Sequence, residues 1–455
     1  MEFESIRRLV RRVPALWALA RVVRALATRP RRTLRACRDA MRHVLRRARS
    51  HHGTRRDPGA PLHVVIVATA PGVREVKLAK AAASRGVRVS LVSEFARAPE
   101  EHGVFERVVV VANAWQALDA IAALAPDVVH LCVALWDRYR FVRCVLRGLA
   151  RGRPGARPAI VHDQYDCLAG MLRAGHEAPA EILAVERECF ARADHVCSRH
   201  LEPIELRRLG YRVPRATFFA DYCEREPRAR PPRSVAPDEE LRIVYSGGIW
   251  PEDRYARAET GYAQYLEIGR ALAAQRIHLH LYPAPHAQVL AGFDGFFARY
   301  REEAARNSFF HIHRPVAHAE LLARLGEYDA ALHVYGPGID TDVGRNSAAK
   351  IRYCSANKLF DFVAAGLPVL IHGGLCSHGL VRRYGRAVRL AHIDLARSRL
   401  VDVLSRPAPA NGRWATLAAQ APRLAAMYVE LARKDCPPRA VRADRSESRR
   451  DVTSM

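Results

Sequence analysis

The sequence predicts an α/β protein of two tandem, Rossmann-like, doubly wound domains behind a basic helical N-terminal extension. Three observations predict it. Short runs rich in Val, Ile and Leu alternate with longer helical stretches along most of the 455 residues. A Pro- and Arg-rich segment, 226–240, interrupts that alternation once, after which it resumes. With 49% apolar residues, a chain of this length can bury two separate cores.

Residues 1–60 hold 17 Arg, no Lys and four acidic residues, about half of the formal charge of +26. Leu9, Val13, Leu16, Ala20, Val23 and Ala27 recur there at helical spacing, giving one apolar face among cationic ones. That pattern suits a helix lying on an anionic membrane surface; a plain basic extension, or a helix packed on its own protein, is the other reading. Only five of the 73 basic residues are Lys, so part of the charge reflects a preference for Arg. Because the excess is concentrated in 1–60, nucleic acid is not an expected partner. No stretch reaches the roughly 20 uncharged residues of a membrane span, since Arg21 and Arg24 break the best one, 13–27. The start also lacks a signal peptide's basic-then-apolar order. Ten Cys without a single Cys-x-x-Cys pair read as reduced core residues of a cytoplasmic protein.

The N-terminal domain is expected over 61–225. A buried strand at 62–69, the Pro71-Gly72 turn, a helix at 73–84 stopped by Gly86 and a strand at 87–93 make one βαβ unit. Strands at 108–111, 127–133, 159–162 and 195–198 follow, with helices at 114–124 and 181–193 between them. After the linker, a C-terminal domain over 241–410 repeats the alternation. Its strands are expected at 241–245, 277–282, 309–313, 330–335 and 368–372, and its helices at 261–274, 318–325 and 357–365. A closing helix lies within 411–435, at 414–433, and a polar tail, 436–455, reads as disordered.

In open α/β sheets, ligands bind beyond the carboxyl ends of the strands, so residues just after each strand are the candidates. Ser246, Gly247 and Gly248 follow the strand at 241–245. Their glycines let backbone N–H groups approach a diphosphate, or form a plain turn. Further on, Ser355-Ala-Asn357-Lys358-Leu359-Phe360-Asp361-Phe362-Val363 opens a helix that Gly366 ends before Pro368. Leu359, Phe360, Phe362 and Val363 form its apolar face, and Lys358 and Asp361 lie three apart on another side. They make either an exposed ion pair, or an ammonium for phosphate and a carboxylate for ribose at a helix N-terminus.

That segment resembles the nucleotide-sugar signature of GT-B glycosyltransferases, especially the family-four, retaining-type group, whose usual wording is Lys-Leu-Phe-Glu-Tyr-Met/Leu-Ala-Ala-Gly-Leu-Pro-Val. The resemblance extends back through 318–329 and forward through 385–404, and covers about 61–433. It implies a transferase that moves sugar from a nucleotide-sugar donor to a glycan, glycolipid or other acceptor, without metal or other cofactor. Asp361, where the family has Glu, would hold the nucleotide's ribose, and Lys358 would oppose the diphosphate beside Asn357 and Leu359. Tyr353 stands where many members carry a second Glu for the donor sugar, which leaves the sugar and the stereochemical outcome open. The family usually places Arg or Lys after the glycine turn, and Arg254 and Arg257 match. Lys350 and Arg352, in an expected loop at 336–356, are cations for the diphosphate or solvated loop charge. A cytoplasmic setting on the inner face of the membrane, in envelope polysaccharide or glycolipid synthesis, is what the resemblance suggests.

Two places remain, both in the N-terminal half. His162, Asp163 and Asp166 cluster after the strand residues 159–161, where the group can orient an acceptor hydroxyl or act as base, or simply cap a helix. Gly72 and Arg74 fall in the acceptor loop that the resemblance implies, with Arg74 facing an anion such as a lipid diphosphate. Asp340-Thr-Asp342 reads as loop capping, and His278, His280, His311 and His313, alternating along strands, as sheet-facing side chains; no metal site is expected. A UDP-N-acetylglucosamine 2-epimerase, or a non-catalytic basic adaptor on the same fold, remain the alternatives.

Overall fold

The computed structural model describes residues 60–69, 72–94, 103–151, 157–172, 175–249, 265–285, 287–334, 347–372 and 375–433. The extension up to residue 59, Arg254, Arg257, Asp340, Asp342 and the tail from 434 lie outside the described residues.

Seven parallel strands make the first sheet: β1 (His63–Ala68), β2 (Arg88–Ser93), β3 (Arg107–Val110), β4 (Val128–Val133), β5 (Ala159–Gln164), β6 (His195–Ser198) and β7 (Ala216–Phe218), in the order β3-β2-β1-β4-β5-β6-β7. Six more make the second: β8 (Leu241–Gly247), β9 (Ile277–Pro283), β10 (Phe310–Ile312), β11 (Ala330–His333), β12 (Val369–His372) and β13 (Ala387–Leu390), ordered β10-β9-β8-β11-β12-β13. Each sheet turns outward in both directions from its first strand, the Rossmann order whose switch point is a ligand site. β1 and β4 are buried along their whole length. Helices on both faces require this, which is why they read as unbroken apolar runs.

Several elements differ from the sequence reading. β5 continues to Gln164 and β8 to Gly247, so His162 and Asp163 lie inside the sheet and Gly247 ends a strand. The helix Leu135–Ala150 escapes prediction because arginines crowd its sequence, yet Val142, Val145, Leu146 and Leu149 are its buried stripe. β7 has only three half-exposed residues and carries no pattern. Within the expected loop at 336–356 there is a helix, Ala348–Tyr353, capped by the Ser347 hydroxyl. The described cysteines are free thiols, all buried except Cys144.

The linker docks on the second domain instead of spanning free. Arg228 donates its N–H to Ala364 O at 2.9 Å, and Arg230 donates to the carbonyls of Ala365 and Tyr328. The bonds to Ala364 and Ala365 satisfy acceptors left over where the helix Lys358–Ala364 ends. Gly366 completes that end at φ 69°, and a Cβ there would meet Arg228 O at 2.3 Å. The closing helix, Leu417–Arg433, crosses back to the first domain and packs on the helix Val73–Ala83, with Tyr428 Oη 2.6 Å from His130 Nδ1. One apolar cluster consequently runs through both halves, with the Tyr222 ring 5.0 Å from that of Phe360. No helix among the described residues is long and apolar enough to cross a membrane.

Replacing Gly366 by Ala forces a left-handed backbone on a residue with a Cβ. The expected loss is about 1 to 3 kcal/mol from the backbone alone, read as a lower urea midpoint at unchanged slope.

Candidate functional site

The helix Lys358–Ala364 forms because Leu359, Phe360, Phe362 and Val363 supply a continuous buried stripe. Asn357 before it has helical backbone angles and does not cap. Its side-chain oxygen accepts instead from Arg199 Nη1, across the domain interface. Leu359 is wholly enclosed in the apolar cluster, so it supports the helix and offers no surface to a donor.

Lys358 reaches under the end of β8. Its Nζ lies 3.7 Å from the centre of the Tyr245 ring, and a Cβ on Gly247 would meet that nitrogen at 2.8 Å. With φ at 132°, Gly247 occupies a backbone region that other residues rarely adopt, and the missing side chain is what admits the amine. Among the described residues no carboxylate pairs with it. Burial draws its pKa down to about 7, opposed only by Cys354. An ammonium held over an aromatic face beside a glycine turn, with no counter-charge, is a standing attraction for an anion. Ser246 is buried in β8, and Gly248 O accepts from the Tyr245 hydroxyl at 3.1 Å.

Asp361 does not pair with Lys358. Its Oδ2 lies 3.2 Å from His318 Nε2, at the start of the helix His318–Arg324, and this bond raises the His318 pKa. The carboxylate keeps 18% exposure, enough for further contact.

The N-terminal candidates separate. His162 packs edge-on against Phe190 at 4.7 Å and shares a 3.2 Å hydrogen bond with Gln164, and burial lowers its pKa to about 4. Asp163, on the opposite face of β5, pairs with Arg74 at 2.7 Å and sits 3.4 Å from His130 Nε2. Arg74 is 2% exposed and also bonds Phe219 O at 2.6 Å and Asp221 at 2.9 Å. Its guanidinium is therefore saturated inside the domain and does not face an acceptor. The Gly72 N–H is likewise taken, by Glu75 at 2.6 Å. Only Asp166 is exposed, at 59%.

Lys350 and Asp166, expected on opposite sides of the reaction, are bonded to each other. Lys350 Nζ is 2.5 Å from Asp166 and 2.5 Å from the fully buried Glu202. Burial would lower the Lys350 pKa, but the two carboxylates outweigh it and raise it well above the usual value. The pair clasps the two domains. Tyr353 belongs to the same seam, since Arg208 donates to its hydroxyl at 2.7 Å and Leu201 N–H to its carbonyl at 2.9 Å.

Three residues near these groups were given no role in the sequence reading. Arg199 follows β6, stacks on Tyr165 at 5.4 Å and meets both Asp221 and Asn357. Position alone, directly after a strand's carboxyl end, was its signal. His200 Nδ1 accepts from Ser355 N–H at 2.8 Å. Glu75 is fully buried against the Tyr165 hydroxyl, and burial raises its pKa to about 7.

No family profile matches the sequence, and no curated protein matches it by sequence. Similar solved structures include a glycosyltransferase involved in avilamycin A biosynthesis, 15% identical over 82% of this chain and 98% of that one, with a TM-score of 0.43. Another is an α,α-trehalose-phosphate synthase (UDP-forming) from Burkholderia xenovorans, 11% identical over 81% and 100% of the two chains, TM-score 0.45. A third is a UDP-GlcNAc 2-epimerase from Neisseria meningitidis, 9% identical over 81% and 100%, TM-score 0.44. Two tandem Rossmann-like sheets are the architecture that the GT-B fold has.

Asp163→Ala leaves the Arg74 charge short of one partner in a dry interior, and a loss of roughly 3 to 5 kcal/mol is expected in urea unfolding. For Lys358→Ala, affinity for a nucleoside diphosphate should fall about 10- to 150-fold in calorimetry. In the wild-type chain that affinity should also weaken as pH rises above about 7, where the free amine loses its proton, with proton uptake on binding.

Proposed function

We propose that the chain is a metal-independent glycosyltransferase that takes a nucleotide-sugar donor on its C-terminal domain and a glycan or lipid-linked acceptor from the N-terminal side. The observation that carries this reading is the uncompensated Lys358 ammonium beneath the Gly247–Gly248 turn. In this reading the diphosphate lies between that amine and the turn's backbone, while Asp361, steadied by His318, accepts from the ribose hydroxyls. As the sugar leaves, charge accumulates on the diphosphate, and a fixed cation already desolvated at that point stabilises it without reorganisation.

Asp166 is the one member of its trio with surface for an acceptor hydroxyl, and the proposal gives it the orienting role. It is then freed from Lys350 when donor binding shifts the domains. Residues 1–60 are proposed to hold the enzyme peripherally on the cytoplasmic leaflet, on the strength of 17 Arg against four acids. That setting suits an envelope polysaccharide or glycolipid acceptor.

The test is turnover with a panel of nucleotide sugars, with and without lipid-linked and oligosaccharide acceptors. Nucleotide release that depends on acceptor, and that drops at least about tenfold in Lys358→Ala and Asp361→Asn, is the expected result. Isomerised donor without acceptor would replace the transferase with an epimerase. Failure of any nucleotide sugar to bind would remove the enzyme reading altogether.

A further inference from the structure

Among the described residues, three groups of side chains have the composition of a metal site: His130 with Asp163 and Cys197, Asp166 with His200 and Glu202, and His278 with His280 and His311. Two of them already hold one of the chain's own cations. Arg74 lies 2.7 Å from Asp163 and 3.7 Å from Cys197 Sγ, and Lys350 lies 2.5 Å from both Asp166 and Glu202. The third holds none, and it is the only one of the three built from imidazoles alone.

It arises from the register of two neighbouring strands. His278 and His280 alternate along β9 and so share a face, and His311 on β10 pairs with His280. His311 lies edge to edge with His278, ring centres 5.2 Å apart, and stacks on His280 at 4.1 Å, while His313 lies edge to edge with His280 at 5.2 Å through a 3.0 Å hydrogen bond to its Nδ1. One ring nitrogen from each of His278, His280 and His311 lies within 4.8 Å of the other two. His278 Nδ1 and His311 Nε2 stand 2.9 Å apart, a little closer than the roughly 3.3 Å that two nitrogens adopt around a tetrahedral zinc. His280 Nε2 is buried without a hydrogen-bond partner among the described residues.

Behind the rings is a carboxylate. Glu240 Oε2 lies 3.0 Å from His278 Nε2, which places that ring's proton on Nε2 and leaves the Nδ1 lone pair toward His311. We infer that His278, His280 and His311 form a binding site for a zinc-class divalent cation, with Glu240 as the positioning residue behind His278. The ion replaces the hydrogen bond between His278 and His311, whose ring proton moves to Nδ1 of His311 so that both lone pairs face the metal. Imidazole selects zinc and the late first-row metals over magnesium or calcium.

The site is separate from the donor turn. His278 pairs with Arg242, five residues before Gly247 on β8, or about 16 Å along the strand. What an ion does there is mechanical: it ties β10, an edge strand of three residues, to β9.

Metal-free full-length chain titrated with zinc, followed by calorimetry and thermal melts, tests this. The wild type is expected to take up one more equivalent than His278→Gln/His311→Gln, to melt higher with zinc than without, and to give the visible bands of tetrahedral cobalt when cobalt is used instead. Affinity should fall at least about 100-fold in the double variant and about tenfold in Glu240→Gln, with nucleotide binding unchanged. Superimposable zinc titrations of wild type and double variant would overturn the site. Should the double variant fail to fold, Glu240→Gln leaves every ring in place and decides alone: a tenfold loss supports the site, and an unchanged affinity overturns it.

Discussion

A guanidinium withdrawn from water has to find carboxylate charge nearby, and Arg74, 2% exposed, organises the first domain on that condition. It stands at the first strand-to-helix turn and draws in Asp163 from β5 and Asp221 from beyond β7. Asp221 in turn faces Arg199 at 3.4 Å, and Arg199 bonds Asn357 at the head of the signature helix. Two cations and two anions thus alternate from the core of one domain to the edge of the other. Removing any member strands a charge, so the series fixes where Arg199 can be, and Arg199 fixes where the carboxyl ends of the two sheets meet.

The parts of the fold legible in the sequence are those whose cause is local. β1 and β4 are apolar runs because both of their faces are covered, and the helix Ala114–Leu124 shows its period openly behind the Asn113 cap. The helix Leu135–Ala150 was hidden because long arginine side chains occupy the positions between its buried residues, and composition there speaks for solvent. Strand ends were hidden for a different reason. Nothing in Asp163-Gln164 looks like a strand until Arg74, 89 residues earlier, is known to neutralise Asp163.

The candidate site divides in the same way. Lys358, Asp361 and the glycine turn were legible because they belong to one helix and one turn. Their partners were not. His318 comes to Asp361 from 43 positions away, and Asp166 to Lys350 from 184. A charge pattern on one segment states that a residue needs an opposite charge; only the fold states which one it receives. Lys350 and Asp166 each had a plausible ligand in the sequence reading, and each found the other first.

That difference in pairing separates two lysines of one domain. Lys350 is buried with two carboxylates, so its charge is settled within the protein and a phosphate would have to displace them. Lys358 is half-buried against an aromatic ring and a glycine, and desolvation draws its pKa down to about 7 against the opposing effect of Cys354. Holding an amine in that condition costs free energy that folding alone does not recover. In the proposed function, an anion held at that amine would restore the proton's stability. The amine, the turn and the aromatic floor are each unremarkable singly, and the proposed function rests on their meeting at one point.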